Sequence, residues 1–370
     1  MTGTVLICLH DELMNGASIS ILRAIPLLEE RGWRFAFWVP SPGPAREHLE
    51  ALGADVAGRE RPIASSLAAS RLPPGIRTRA LATPGYIREF RAWLREKEPD
   101  LVHANSLYSF AEALAAKRAG YPTLLHVHDM APEGRKRVAV RWICRRGVDQ
   151  TVAVSKACAD SYAHGGWRPG IVYEAAPVPD KPVEVKDSPE PFVVGTVGVV
   201  SRRKGTDLFV EAAELIDDPS FEFQIVGAPS DPFDADWGEE VLRRAARADV
   251  RHLSSARVES ELRTWDLFVL PSRRDPCPIS MLEAMALGMP VVGTRVDGLT
   301  EEIDSGSGVL VPGNDAGALA AAIRSIRGMR PSEREALGAA ARKRVRTEFS
   351  LSRQADALDA TYRALTKGSR

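Results

Sequence analysis

Short apolar, β-branched runs recur along this chain with helical patterns between them, and a proline-rich stretch interrupts the series midway. The runs "TVLICLH" (4–10), "FAFWVP" (35–40), "DLVHANS" (100–106), "TLLHVHD" (123–129) and "TVAVS" (151–155) read as buried strands. Near-continuous apolarity is what strands covered on both faces of a parallel sheet require. Helical segments such as "ISILRAIPLLEERG" (19–32) lie between them. After "PVPDKPVEVKDSPEPF" (177–192) the alternation restarts with "VVGTVGVV" (193–200), "EFQIVG" (222–227), "LFVLPS" (267–272), "PVVGTRV" (290–296) and "GVLVPG" (308–313). Two such series predict an α/β fold of two Rossmann-like, doubly wound domains, 1–176 and 193–354, joined by a linker over 177–192. Ligands of these sheets bind beyond the carboxyl ends of the strands, so two domains facing each other predict a ligand cleft. The tail from Pro331 to Leu365 is strongly helical, and its end, about 355–370, is expected to return to the first domain.

Composition narrows the classes of partner. Forty-nine basic residues balance forty-nine acidic ones, so no global field points to nucleic acid. A hydrophobic fraction of 44% and a charged fraction of 26% are those of a globular domain protein. The start "MTGTVLICLH" has neither a basic leader nor a long apolar run, and no stretch approaches the ~20 apolar residues of a membrane span. Cys8, Cys144, Cys158 and Cys277 form no metal-ligand spacing, so reduced thiols in a cytoplasmic protein are expected.

Chemistry concentrates in a few loops. In "PSRRDPCPISMLEAMALGMPVVGT" (271–294) the prolines Pro276 and Pro278 forbid both strand and helix, and helical spacing begins at Ile279 and stops at Gly288 and Pro290. Asp275 therefore sits on a tight loop and Glu283 just inside a helix, placed to grip two ends of one ligand across a helix start. Acids near a helix start are also favoured by its dipole alone. In "GTVGVVSRRKGTDLFVEAA" (195–213) Arg202, Arg203 and Lys204 precede Gly205 and a helix beginning near Thr206, an arrangement suited to a pyrophosphate and equally to a solvated basic turn. "MNGASISIL" (14–22) opens a second helix at Gly16, with Asn15 or Ser18 as its cap, and does not match the dinucleotide fingerprint.

Three histidines, His103, His126 and His128, fall at predicted strand ends and are expected at the rim of the first sheet, His128 outermost. "DPFDAD" (231–236) has acids for a divalent cation, but so does any solvated acidic loop; no metal is expected at Asp234 and Asp236. "RKRVAVRWICRR" (135–146) gathers six cations on one helix. A basic amphipathic helix can lie on an anionic membrane. The interspersed Val138, Val140, Trp142 and Ile143 predict instead a surface helix packed on its sheet, so membrane contact is not the favoured reading.

In order along the chain, "GVVSRRKG", "IVG", "LFVLPSRRDPCPISMLEAMALGMPVVGT", "GLTEEI" and "GVLVPGNDAGALAAAI" resemble the retaining glycosyltransferases of family four, which have the GT-B fold. Weaker echoes, "NGAS", "PDLVHANS", "HVHD" and "TVAVSKA", extend the resemblance into the first half. The resemblance implies transfer of a sugar from a nucleoside diphosphate sugar, with UDP-sugar favoured, to a hydroxyl of a small acceptor such as a natural-product or aminocyclitol-like intermediate. It casts Asp275 and Glu283 as that family's Glu-x7-Glu element, Asp275 toward the donor sugar and Glu283 toward the ribose. Lys204 would meet the diphosphate, His128 the transferred sugar, and Gly16 would lie on the flexible glycine loop. Arg203, Cys277 and the amides of Ile279 and Ser280 complete the implied donor site, while Asp11, Glu12 and Asn105 are the expected acceptor contacts. The segment 61–90 is expected to wall the acceptor.

The chain departs from the family pattern at Val199, where an arginine is usual, at Asp275, a shorter acid, and at Cys277-Pro278. Arg202 or Arg203 is left to replace the missing cation. With cations and a helix start to stabilise the departing diphosphate, front-face substitution needs neither metal nor cofactor. Competing readings are an epimerase or phosphorylase of the same fold, a transferase acting on lipid or polysaccharide, and a non-catalytic partner that binds sugar nucleotide.

Overall fold

The computed structural model describes residues 2–61, 76–187, 190–229, 234–253 and 258–367, with side chains from residue 83 onward in the helix that begins at Ile76. The described residues form two compact units, Met1–Glu174 with Leu351–Arg370, and Ala175–Ser350. Each holds one parallel sheet.

In the first unit the strands are β1 (Gly3–Cys8), β2 (Trp33–Trp38), β3 (Asp55–Ala57), β4 (Leu101–Ala104), β5 (Thr123–Val127), β6 (Gln150–Ala153) and β7 (Gly170–Ile171). Their order is β3-β2-β1-β4-β5-β6-β7. In the second they are β8 (Phe192–Val197), β9 (Phe221–Val226), β10 (Val250–Leu253), β11 (Leu267–Leu270), β12 (Val291–Thr294) and β13 (Val309–Val311), in the order β10-β9-β8-β11-β12-β13. Both orders reverse direction beside the first strand of the unit, the switch point at which doubly wound sheets take their ligands. Central strands such as β11, with Leu267, Phe268, Val269 and Leu270 all buried, are apolar on both faces because helices cover both.

Three short strands, β3, β7 and β10, were not expected from the sequence. β3 and β7 lie at the two edges of their sheet and β10 at an edge of the other. Few apolar residues are needed there, since one side is unpaired. The last two helices divide between the units: Pro331–Glu348 belongs to the second and Leu351–Lys367 to the first. Tyr362 of the closing helix is wholly buried, its hydroxyl 2.8 Å from His103 Nδ1 and its ring edge-on to Trp33.

Two expectations need correction. His103 and His126 are fully buried inside β4 and β5, so only His128 stands past a strand end. Burial drives His103 down to about 3 and His126 well below the usual imidazole range, with the His128 charge adding to both. They are neutral packing residues stacked 5.5 Å apart. The basic helix is also not fully packed on its sheet. Val140 and Ile143 face inward, but Val138 is 74% and Trp142 53% exposed.

Candidate active site

In the second unit, β8 ends at Val197, and Gly198 leads into the turn that carries Arg202, Arg203 and Lys204. Gly205 follows at φ +69° as the cap of the helix Thr206–Ile216. A Cβ there would lie 2.0 Å from the Pro271 carbonyl oxygen, so only glycine lets this turn press against the loop after β11. The result is a contact between the two loops. Lys204 Nζ lies 2.8 Å from Asp275 Oδ2, and the Ser272 hydroxyl donates to the same oxygen at 2.9 Å. Arg203 Nη1 is 3.7 Å from Asp275 Oδ1, with half its side chain open to solvent. Arg202 turns away: its guanidinium lies over the Trp237 ring and its backbone N–H donates to Asp234. Of the two candidates for the cation missing at Val199, Arg203 is the one beside Asp275.

The helix Ile279–Ala286 starts next to this cluster. Pro278 precedes it and offers no side-chain cap, and the Ser280 hydroxyl donates to Val197 O at the end of β8. Met281, Leu282, Ala284, Met285 and Ala286 are buried. The partly open positions are Ile279, Ser280 and Glu283, which helical spacing puts on one stripe. Helix start, Lys204, Arg203 and Glu283 thus gather amide donors, cations and a carboxylate at the carboxyl ends of β8 and β11. Such a set suits a diphosphate with a polyhydroxyl group beside it.

Sequence reasoning missed Glu302. It ends the one-turn helix Leu299–Glu302 and is completely buried behind the Asp275 loop. Gly298, before that helix, has no room for a Cβ, which would sit 1.9 Å from Pro276 O. Burial pushes the Glu302 carboxyl well above the carboxylate range; the Asp275 charge adds to this, and the Cys277 thiol and the Lys204 charge oppose it. Cys277 was expected at the donor; its side chain is buried near Glu302. In sequence Glu302 is only the second of two acids at a helix end.

A pH test follows from this burial. A carboxyl raised on folding contributes fully below its ordinary value, and that contribution drains away as pH climbs toward the folded value. Glu302→Gln, neutral throughout, is expected to differ least from the parent near pH 4. It should then gain on it by about 1.4 kcal/mol per pH unit until the folded carboxyl ionises. Thermal unfolding between about pH 4 and 9 measures this; a gap independent of pH would mean Glu302 is ionised in the fold.

The first unit places the remaining residues. Asn15 caps the helix Gly16–Glu30 by accepting from Ser18 N–H, and Gly16 is its exposed first residue. Asp11 holds that cap: it accepts from Asn15 at 2.9 and 3.0 Å and from Leu13 N–H. Burial works to raise the Asp11 carboxyl, but contacts with His10, Leu13 and Asn15 outweigh it and hold it low. Glu12 is half-buried and its carbonyl accepts from Ala45 N–H. Asn105 is fully buried, donating to Ala17 O, with its Oδ1 3.2 Å from His128 Nε2. Of the expected acceptor contacts, Asp11 is tied to the Asn15 cap and Asn105 to Ala17 and His128. His128 Nδ1 lies 2.6 Å from Glu174 Oε1, and Glu174 is held by Ser20 and Gln354. Of the expected acceptor wall, residues 62–75 lie outside the described residues, as do Asp231 to Phe233 of the acidic loop. Among the described residues no cluster of His, Cys, Asp or Glu is arranged to hold a metal, and Asp234 is turned to the Arg202 loop.

Two family patterns match in the order of the two units: Glycosyltransferase Family 4 over residues 14–173, and Glycosyl transferases group 1 over residues 191–327. The chain belongs to the family-four glycosyltransferases. Among curated relatives, the D-inositol 3-phosphate glycosyltransferase of Geodermatophilus obscurus is 37% identical over 186 residues, 45% of this chain and 39% of that protein. The alpha-maltose-1-phosphate synthase of Mycolicibacterium smegmatis is 29% identical over 309 residues, 72% and 79% of the two chains. The matches to the first two relatives span only 39% and 52% of their lengths. Among solved structures, Anabaena HepE in complex with UDP-glucose superposes with a TM-score of 0.83 at 18% identity, covering 98% of this chain and all of that chain. At that identity the likeness shows the GT-B fold.

Proposed function

We propose that this glycosyltransferase moves a sugar from a nucleoside diphosphate sugar, with UDP-sugar the favoured donor, to an acceptor hydroxyl with retention at the anomeric carbon. The observation that carries the reading is the cluster at the ends of β8 and β11: Lys204 Nζ 2.8 Å from Asp275, Arg203 beside them, and a helix start whose open stripe is Ile279, Ser280 and Glu283. Charge growing on the departing diphosphate falls to Lys204, Arg203 and the Ile279 and Ser280 amides. Asp275 accepts from sugar hydroxyls once the nucleotide competes for Lys204, and Glu283 accepts from the paired hydroxyls of the ribose. The departing phosphate oxygen takes the acceptor proton, so no side-chain nucleophile, metal or cofactor enters. His128, held by Glu174 and Asn105, contacts the transferred sugar. The UDP-glucose complex of HepE supports a uridine donor. Relatives named for inositol 3-phosphate and maltose 1-phosphate support a small polyhydroxyl acceptor.

Thermal unfolding with UDP, GDP, ADP or dTDP, each with and without EDTA, tests the donor site. A nucleotide at a hundred times its Kd adds about 2.7 kcal/mol, and UDP is expected to raise Tm by several degrees regardless of EDTA. A shift seen only with a divalent cation would refute the metal-free site. Stabilisation without turnover of any sugar nucleotide would favour the non-catalytic reading.

A further inference from the structure

Residues 135–146 carry six cations and no acid in a chain whose charges cancel overall. The helix Lys136–Trp142 runs on into a π-helical turn, Ile143–Gly147. Val138, Arg141, Trp142, Arg145 and Arg146 recur at i, i+3, i+4, i+7 and i+8, and together with His164 and Trp167 they line one hollow of about 280 Å³. The opposite face is the packed one, with Val140, Ile143 and Cys144 buried. A solvated helix has no reason to turn a valine and a tryptophan outward between arginines, and here Val138 is 74% and Trp142 53% exposed. The stripe is also held rigid. Arg137 donates to Ser161 O and Arg141 to Ser161 O and Ala163 O, while His164 and Trp167 close a tight turn by paired backbone hydrogen bonds. Arg135, Lys136, Arg145 and Arg146 are exposed, and of the acids in this region Asp160 is paired with Arg168 and Asp149 with Lys117.

We propose that this face docks the enzyme on the surface of a bilayer containing anionic phospholipid. Trp142 and Val138 enter the interface, Trp167 sits at headgroup level, and the arginines meet lipid phosphates. Charge complementarity selects this occupant. An apolar stripe alone would suit any protein partner, and a basic patch alone any polyanion, but tryptophans ringed by guanidinium groups match the boundary between acyl chains and phosphates. The inference goes beyond the proposed reaction, since it concerns where the enzyme works and holds for any acceptor. Among the described residues no helix is long and apolar enough to cross a membrane, so such a contact would be peripheral.

The test is co-sedimentation of the full chain with vesicles of phosphatidylcholine alone, or with about 30% phosphatidylglycerol, across a salt series. Binding is expected only with phosphatidylglycerol, weakening as salt rises. Trp142→Ser should lower the partition coefficient roughly ten-fold, and Arg145→Glu with Arg146→Glu at least as much. These exposed changes should leave Tm and the UDP-induced shift unaltered, which separates lost docking from lost folding. Failure of the parent protein to bind anionic vesicles would overturn the proposal. So would full binding by both variants. Binding abolished by charge reversal but untouched by Trp142→Ser would overturn it in favour of a soluble polyanion.

Discussion

Lys204→Ala is expected to lower kcat/KM for sugar transfer by roughly 10²–10³-fold, with most of the loss in kcat. The lysine is only slightly exposed, and its Nζ lies 2.8 Å from Asp275. The pairing keeps the ammonium in place before a donor arrives, so its charge needs no reorganisation as the diphosphate departs. Arg203 stands next to it but is half open to solvent, and screening makes it a weaker substitute. Lys204→Arg should recover part of the rate, because the charge survives while the compact ammonium does not. Removing Lys204 also strips Asp275, itself 3% exposed, of its nearest cation. Lys204→Ala combined with Asp275→Asn controls for that. If the double variant is as slow as the single but regains its stability, the rate loss belongs to the diphosphate contact. Sugar transfer by Lys204→Ala within about three-fold of the parent would end the proposed role of this residue.

The legible parts of the molecule were those fixed by local physics. Strands β8 and β11 announced themselves because both faces are buried, and the Pro276 and Pro278 pair left only a loop between β11 and the helix at Ile279. Spacing then placed Asp275 before the helix and Glu283 within it. What escaped depends on contacts between residues far apart in sequence. His103 reads as a rim histidine until Tyr362, 259 positions later, covers it. Glu302 reads as an acid at a helix end until Gly298 packs on Pro276 and shuts it in behind the Asp275 loop. Asp11 and Asn105 are legible as polar residues that follow strands, but their ties to neighbouring backbone and side chains are not. The outward tryptophan of the basic helix was hidden for another reason: apolar spacing does not say which of two apolar stripes meets the sheet.

Glu112→Ala is expected to destabilise the first unit by about 3–5 kcal/mol, because it would leave a guanidinium buried without its counter-charge. Arg61 donates to Glu112 Oε1 through Nε at 3.0 Å and Nη2 at 2.7 Å, and both side chains are almost fully buried. Burial works against the Arg61 charge, and the Glu112 carboxylate more than offsets it. Tyr86 donates its hydroxyl to the same carboxylate and accepts from the Trp38 indole N–H at 2.7 Å, so one acid satisfies a chain of buried polar groups. The consequence reaches the site, since Arg61 Nη1 also holds the His10 carbonyl at 2.9 Å, and His10 begins the loop whose Asn15 caps the helix at Gly16. A unit of this size should lose roughly 2–4 °C in Tm per kcal/mol, giving a fall on the order of 10 °C by calorimetry. Replacing both partners with apolar residues, Arg61→Met with Glu112→Leu, should restore much of that stability, since the cost arises from the unpaired charge and not from loss of the pair. The loop would still lose its tether at His10, so the double variant should regain Tm while acceptor KM rises. Equal loss of Tm in the single and double variants would instead assign the stability to packing around Tyr86 and Trp38.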